Sequence, residues 1–448
     1  MSWKGAVYMG KYILPPQHMV FESHETQNDV PIEISQKDLK VLRELGKKYA
    51  EISSLPIQND RIKMWEKLND LKQVKPLIWI NEICWHEMDV NDELKLETSS
   101  EFCQKIETEL RRIIYQWKHM QCDMVVEPII YSPYIIQNTG FGLSPVAEVA
   151  ITDVNSDIIS RHFYNQFESE EDINKIRVPK ISCNYKRTED FFDAYKYIFS
   201  GIIQTEKRGS PGFWFAPWDD LVFWMGAEEV LTSLVTRPEF MHKLIAHLTD
   251  SFLKALEQFE ELNLLALNNT NWRIGSGAYG YTDCLPREQS KMKNKVTTKD
   301  IWGSAAAQIF GSVSPKMHEE FALAYEMKWL EQFALTYYGC CEPLHNKLDL
   351  LKKIPNLRKI SISPWAKLEE ATEIIQDNYV ISLKPSPSEL ASPTWCPEKI
   401  KKELESKLKV TKNCNVEIVL KDISTVMSEP KRLWEWARIA SEVSKQFS

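Results

Sequence analysis

Residues 334–339 read Ala-Leu-Thr-Tyr-Tyr-Gly, and Cys340-Cys-Glu-Pro-Leu-His345 follows at once. A short apolar run that stops at glycine and opens into thiol, carboxylate and imidazole groups is how a buried parallel strand delivers chemistry at its C-terminal end. Seven further runs share that form: 76–81 (PLIWIN), 123–130 (DMVVEPII), 211–216 (PGFWFA), 263–268 (NLLALN), 357–363 (LRKISIS), 378–383 (NYVISL) and 415–420 (NVEIVL). Between them lie stretches of helical period, such as Phe102, Ile106, Leu110, Ile113 and Trp117, or Leu244, Leu248, Phe252, Leu256 and Phe259. Eight strands alternating with amphipathic helices predict an α/β fold, a (β/α)8 TIM barrel. Thr98 with Glu101 fits a capping box ahead of the first stripe.

Three segments depart from a bare barrel. Residues 1–74 open with an irregular lead. Two amphipathic stretches follow, 36–47 (Leu39, Leu42, Leu45) and 60–71 (Met64, Trp65, Leu68), separated by Pro56. No Gly/Ser or Pro-rich linker follows, which predicts an N-terminal helical extension packed on a barrel of residues 75–448. Alternating runs at 146–154 and 158–164 predict a β-hairpin inserted after strand 2. The long stretch 270–302, with Gly275, Gly277 and Gly280, reads as a loop at the C-terminal mouth, and both insertions are candidate lids.

Composition excludes several function classes. A chain of 448 residues with 43% hydrophobic and 26% charged residues is neither disordered nor fibrous. Its net charge of -8, without long runs of one sign, offers no cationic surface to nucleic acid. No window approaches the roughly 18 consecutive apolar residues of a membrane span. Nine irregularly spaced cysteines, and no apolar signal stretch after Met1, predict a soluble protein of the reducing cytoplasm. A homodimer is left open.

The stretch PGFWFAPWD at 211–219, Thr236-Arg-Pro-Glu239 within the helical segment 227–248, YGCCEPLH at 338–345, SISPW at 361–365 and SLKPSP at 382–387 occur in that order. Together they resemble the uroporphyrinogen decarboxylase superfamily, from Lys75 to the C-terminus. The resemblance implies a barrel and one of two chemistries: cofactor-free decarboxylation, or zinc-dependent methyl transfer between a small methylated substrate and a corrinoid (cobalamin-type) protein. The decarboxylase pattern has an arginine-rich loop after the first strand and an aspartate after the second. Here those places hold NEICWHE (81–87) and Glu127. The methyltransferase pattern has His-x-Cys after the fifth strand and a later cysteine. Here Tyr338 stands where the histidine belongs, Cys340 keeps its place, and the last strand ends in Lys421-Asp422. The resemblance therefore favours a corrinoid-dependent methyltransferase (a demethylase), with a decarboxylase or lyase, or a non-catalytic tetrapyrrole-binding protein, as alternatives.

Candidate site residues follow from their places at strand ends. Cys340, Cys341, Glu342 and His345 are competent ligands for zinc in a nonstandard site. Adjacent side chains on a strand diverge, however, so one cysteine is expected to face the mouth. Glu82, His86 and Glu127 are candidate proton donors or acceptors, and Lys384 a candidate base or anion clamp. Trp214 and Trp218 offer flat walls or a cation–π seat, with Asp219 as polar anchor. Asn268, Asn269, Arg273, Tyr338 and Asp422 complete the substrate-binding set. Each has a plainer alternative in core packing, capping or ordinary ion pairing.

Overall fold

The computed structural model describes residues 8–13, 29–151, 160–288 and 295–447. Six strands, β1 (Leu77–Ile80), β2 (Trp302–Ala305), β3 (Leu335–Tyr338), β4 (Leu357–Ile362), β5 (Val380–Leu383) and β6 (Asn415–Leu420), make one parallel sheet in the order β1-β6-β5-β4-β3-β2. Successive side chains point to opposite faces, and the two faces differ in character. One carries Ile78, Ile80, Ile360, Ile362, Ile381, Leu383, Ile418 and Leu420, in a single core with helix residues Leu248, Phe252, Leu404 and Trp436. The other carries Trp302, Ser304, Tyr337, Lys359, Ser361, Ser382 and Glu417, also buried. The strands thus turn hydrocarbon toward the helices, and inward they turn polar and aromatic groups together with Leu77, Val380 and Val419.

The helices begin where local chemistry allows. For Glu101–Met120 the N-cap is Ser100, whose Oγ accepts the Cys103 N–H. Thr98, expected as the cap, instead donates its hydroxyl to Glu107 at 2.7 Å. The two N-terminal helices run Gln36–Ser53 and Ile57–Asn69. The second is pinned by Trp65 Nε1 on the Asp123 carbonyl (2.9 Å) and by Asn69 Nδ2 on the carbonyls of Tyr279 and Tyr281 (3.0 and 2.7 Å). Among the described residues no helix is long and apolar enough to cross a membrane.

The α/β alternation of parallel strands and helices is present, but among the described residues eight continuous strands do not close a barrel. Residues 211–216 and 263–268, read as strands, keep only isolated bridges, Phe215 to Ala305 and Ser210 to Leu265. Pro211 has no N–H to give a ladder. At the end of the second run the Asn268 side chain replaces the backbone, accepting the Trp302 N–H and donating to the Trp302 carbonyl, both at 3.0 Å. The run 123–130 enters a strand only at Ile129–Pro133, paired in parallel with Gln204–Arg208. β2 begins at the last residue of the stretch read as a loop, where no strand is expected: Trp302-Gly-Ser-Ala has no apolar run, and a Cβ at Gly303 would overlap the Phe333 ring. The irregular lead contains a strand, Tyr8–Ile13, paired antiparallel with Val146–Ile151, which pairs in turn with Ser160–Phe163. The expected hairpin is therefore there, although its tip, 152–159, lies outside the described residues.

The larger surprise is the loop after Asn268. Residues 274–281, expected in a lid, turn inward and pack on the polar face of the sheet. Gly275 makes the turn at φ 57° with the Tyr337 ring against it. Lys359 Nζ and Glu417 Oε2 form an ion pair of 2.8 Å with both side chains 0% exposed. This pair grips the loop, Lys359 donating to the Tyr279 carbonyl (2.9 Å) and Glu417 accepting the Ala278 N–H (3.1 Å). Ser276 Oγ donates to the Gly339 carbonyl (3.1 Å) and Trp302 Nε1 to the Gly280 carbonyl (2.9 Å). Removing one member, as in Lys359→Met or Glu417→Leu, strands the other charge and is expected to cost about 3–5 kcal/mol. The double variant should lose clearly less than the sum, as measured by urea denaturation.

Candidate active site

At the C-terminal ends of the strands a cavity of about 450 Å³ is lined by Glu82, Arg273, Cys340, Cys341, Lys421 and Asp422 and by the indoles of Trp214, Trp272 and Trp302. Strand ends and the turns after them place the charged set. Glu82 follows β1 and Asp422 follows β6, and both are non-glycine residues in the left-handed region, at φ 50° and 55°. Such backbone costs about 1–3 kcal/mol and persists where the surroundings impose it. Here the Asp422 N–H donates to Glu82 Oε2 (3.3 Å) and the Ile423 N–H to the Glu82 carbonyl (3.1 Å). Gly339, at φ 94°, turns the chain out of β3 and sets both cysteines at the cavity wall.

Lys421 is the hub. Its Nζ lies 2.8 Å from Asp422 Oδ2, 3.3 Å from Glu82 Oε2 and 3.8 Å from Cys340 Sγ. Arg273 closes the other side of Glu82, Nη1 to Oε1 at 2.8 Å. Burial pushes the Glu82 carboxyl up, but the hydrogen bond with Asp422 and the charges of Lys421 and Arg273 outweigh it and hold the group down at about 2. For Asp422 burial and the same hydrogen bond to Glu82 win over Lys421, so its carboxyl is raised. The two acids therefore titrate as a pair, with Glu82 the stronger acid and Asp422 the weaker. The Cys340 thiol is lowered, first by its hydrogen bond with Cys341 and then, against burial, by Lys421. Cys341 is raised correspondingly by Cys340 and by burial.

The structure brings together Glu82, Trp214, Asn268, Arg273, Cys340, Cys341 and Asp422, and leaves the other candidates elsewhere. His86 sits outside the cavity near Glu87, which itself anchors the 425–428 turn. Glu127 is buried under Tyr281, whose hydroxyl donates to it at 2.7 Å. Lys384 is buried below the cavity floor, donating to Tyr337 Oη at 2.8 Å, and positions that ring. Trp218 is core, 4.6 Å from the Phe310 ring centre. Asp219 reaches the cavity only through Gln308, whose Nε2 donates to it at 2.7 Å. Asn269 spends its amide on the Thr282 and Leu285 carbonyls. Tyr338 is one residue out of phase: the β3 alternation turns it to the helix side, while Tyr337 faces inward. Trp272, Trp302, Gln308 and Lys421 were not in the candidate set; only Lys421, beside Asp422 at a strand end, carried a signal.

The four proposed zinc ligands do not converge. Glu342 bends back so that Oε2 accepts the Cys340 N–H (2.9 Å), and neither it nor His345 lines the cavity. Among the described residues no three His, Cys, Asp or Glu side chains are placed to hold one ion. The Cys340 thiol faces the Lys421 ammonium at 3.8 Å.

Behind the site, on the helix side, Tyr338 donates to Glu326 Oε2 (2.6 Å) and meets His318 Nε2 (2.7 Å) at the start of a π-helical turn, His318–Leu323. Burial dominates this cluster. It raises Glu326 to about 8, with Glu342 adding to the shift, raises Asp219 to about 7, and lowers His318 to about 3.

No protein-family model matches the chain, and no curated protein does. Among solved structures, a methyltransferase from Methanosarcina mazei is similar over 86% of this chain and 98% of its own, at 12% identity and a TM-score of 0.48. A likeness of that degree carries no weight for the chemistry.

The raised carboxyls generate a pH dependence. Glu326 and Asp219 hold protons in the folded chain up to about 8 and about 7, whereas unfolded carboxyls release them near pH 4. Their contribution is therefore complete below about pH 4 and is lost as pH rises toward 8. Urea midpoints should fall between pH 5 and pH 8.5 (about the span of those shifts), and Glu326→Gln should flatten that fall.

Proposed function

We propose that this cavity removes a methyl group from a small, neutral, flat methyl donor, such as a methoxyaromatic ring, and hands it to a corrinoid protein docked at the mouth. The observation that carries the reading is the carboxyl pair. Asp422, its carboxyl raised by burial and by Glu82, lines the cavity beside the lowered Glu82 and would donate the proton that a departing heteroatom needs. Trp214 and Trp272 offer stacking surfaces worth about 0.5–1.5 kcal/mol each beyond area burial. The corrinoid, when bound, supplies a reduced cobalt nucleophile for the methyl carbon. This chain's own residues orient the donor, keep it between the indoles, and protonate the leaving oxygen from Asp422. Lys421 and Arg273 hold Glu82 as the anion that keeps that proton in place.

Charge matching supports a neutral donor. Arg273 and Lys421 are committed to Glu82, Asp422 and Cys340, so among the described residues lining the cavity both cations are already paired. The decarboxylase reading needs a cation to hold a carboxylate and is less well supported.

Single-turnover demethylation of a methoxyaromatic panel with chemically reduced cobalamin as acceptor, followed by the methylcobalamin spectrum, tests the reading. Asp422→Asn should slow the step by about 10²–10⁴. Trp214→Ala should act mainly on KM, and His86→Ala should change neither constant. A carboxyl-pair variant as fast as wild type, or no demethylation across the panel, would sink the proposal.

A further inference from the structure

Cys340 and Cys341 are neighbours in sequence, and their Sγ atoms lie 3.5 Å apart on the cavity wall. Neighbouring strand residues normally send their side chains to opposite faces. After the Gly339 turn both thiols instead face one space. We propose that this pair is a redox modification site that takes a low-molecular-weight disulfide and closes reversibly to a Cys340–Cys341 disulfide. The inference does not rest on methyl transfer.

Three observations carry it. The sulfurs need approach by only about 1.5 Å to reach disulfide bonding distance. Lys421 Nζ, 3.8 Å from Cys340 Sγ, favours the thiolate, the form that attacks disulfides. Asp422 Oδ2 lies 3.8 Å from Cys341 Sγ as the acceptor for its thiol hydrogen. The backbone of Cys340 is clamped at both ends, its N–H on Glu342 Oε2 (2.9 Å) and its carbonyl accepting from Ser361 Oγ (2.6 Å), so closure is a movement of the Cys341 side chain. Adjacent Cα atoms are about 3.8 Å apart. That is shorter than the roughly 4.4–6.8 Å of ordinary disulfides. The closed form is accordingly easy to reduce, as a switch requires.

The step balances. Cys340 gives up its proton and attacks one sulfur of RSSR as the thiolate, forming a mixed disulfide and releasing RS⁻, which takes up that proton as RSH. Cys341, giving up its proton, then attacks Cys340 Sγ and expels the second RSH. The pair loses two electrons and two protons, and RSSR becomes two RSH. Closure withdraws the thiolate from Lys421 and leaves that ammonium to Glu82 and Asp422 alone, changing the charge balance of the cavity.

The test exposes the folded full-length chain to bis(2-hydroxyethyl) disulfide, blocks remaining thiols with maleimide, and maps peptides by mass spectrometry. The expected result is a 340–341 peptide that is unblocked, two hydrogens lighter, and restored by dithiothreitol. Cys341→Ser should retain a single hydroxyethylthio adduct on Cys340, and Cys340→Ser should react far more slowly. Circular dichroism confirms that each variant is folded. Maleimide on both cysteines of treated wild type would overturn the proposal. Equal reaction rates in the two variants would also overturn it, as would protection of both thiols that a chelator lifts, which would assign the pair to a metal.

Discussion

A fully buried ammonium–carboxylate pair, Lys359 with Glu417, organises the inside of this molecule. Two charges out of water are stable only if each finds further partners. Here the loop backbone at Ala278 and Tyr279 supplies them. The pair thus does two things at once: it joins β4 to β6 across the inner face, and it draws residues 274–281 in as filling. Burial lowers the Lys359 ammonium while Glu417 holds it up, the balance expected of a pair that exists only as a unit.

Above that layer the same logic repeats with decreasing burial. Tyr337, bridged by Lys384 on one side and Ser276 on the other, forms a second layer. Lys421, with Glu82, Asp422 and Cys340, forms the third, and this one opens to solvent. A column of alternating cations and acceptors therefore runs from the interior to the cavity. Its outermost members, Lys421, Glu82, Asp422 and Cys340, line the cavity.

The acids behind the site follow a different rule. At Glu326 burial outweighs the hydrogen bond from Tyr338 and the charge of Lys347, and at Asp219 it outweighs the hydrogen bond from Gln308, so both carboxyls are raised. Their role is structural: they tether the π-helical turn at His318 to β3 through Tyr338, and Gln308 to the cavity wall.

The sequence by itself determined the alternation of parallel strands and helices, the two N-terminal helices, the hairpin, and the strand ends that carry Glu82, Cys340 and Asp422. These are local patterns, set by hydrophobic period and chain punctuation. Tertiary structure alone decided which candidates meet. One step of strand phase sends Tyr338 to the helices and Tyr337 inward, and no composition records that phase. The strand at Trp302 is made by its neighbours, since a Trp-Gly-Ser-Ala segment has no pattern of its own. The loop taken for a lid is pulled inside because two charges, 58 residues apart in the chain, need its backbone to remain buried.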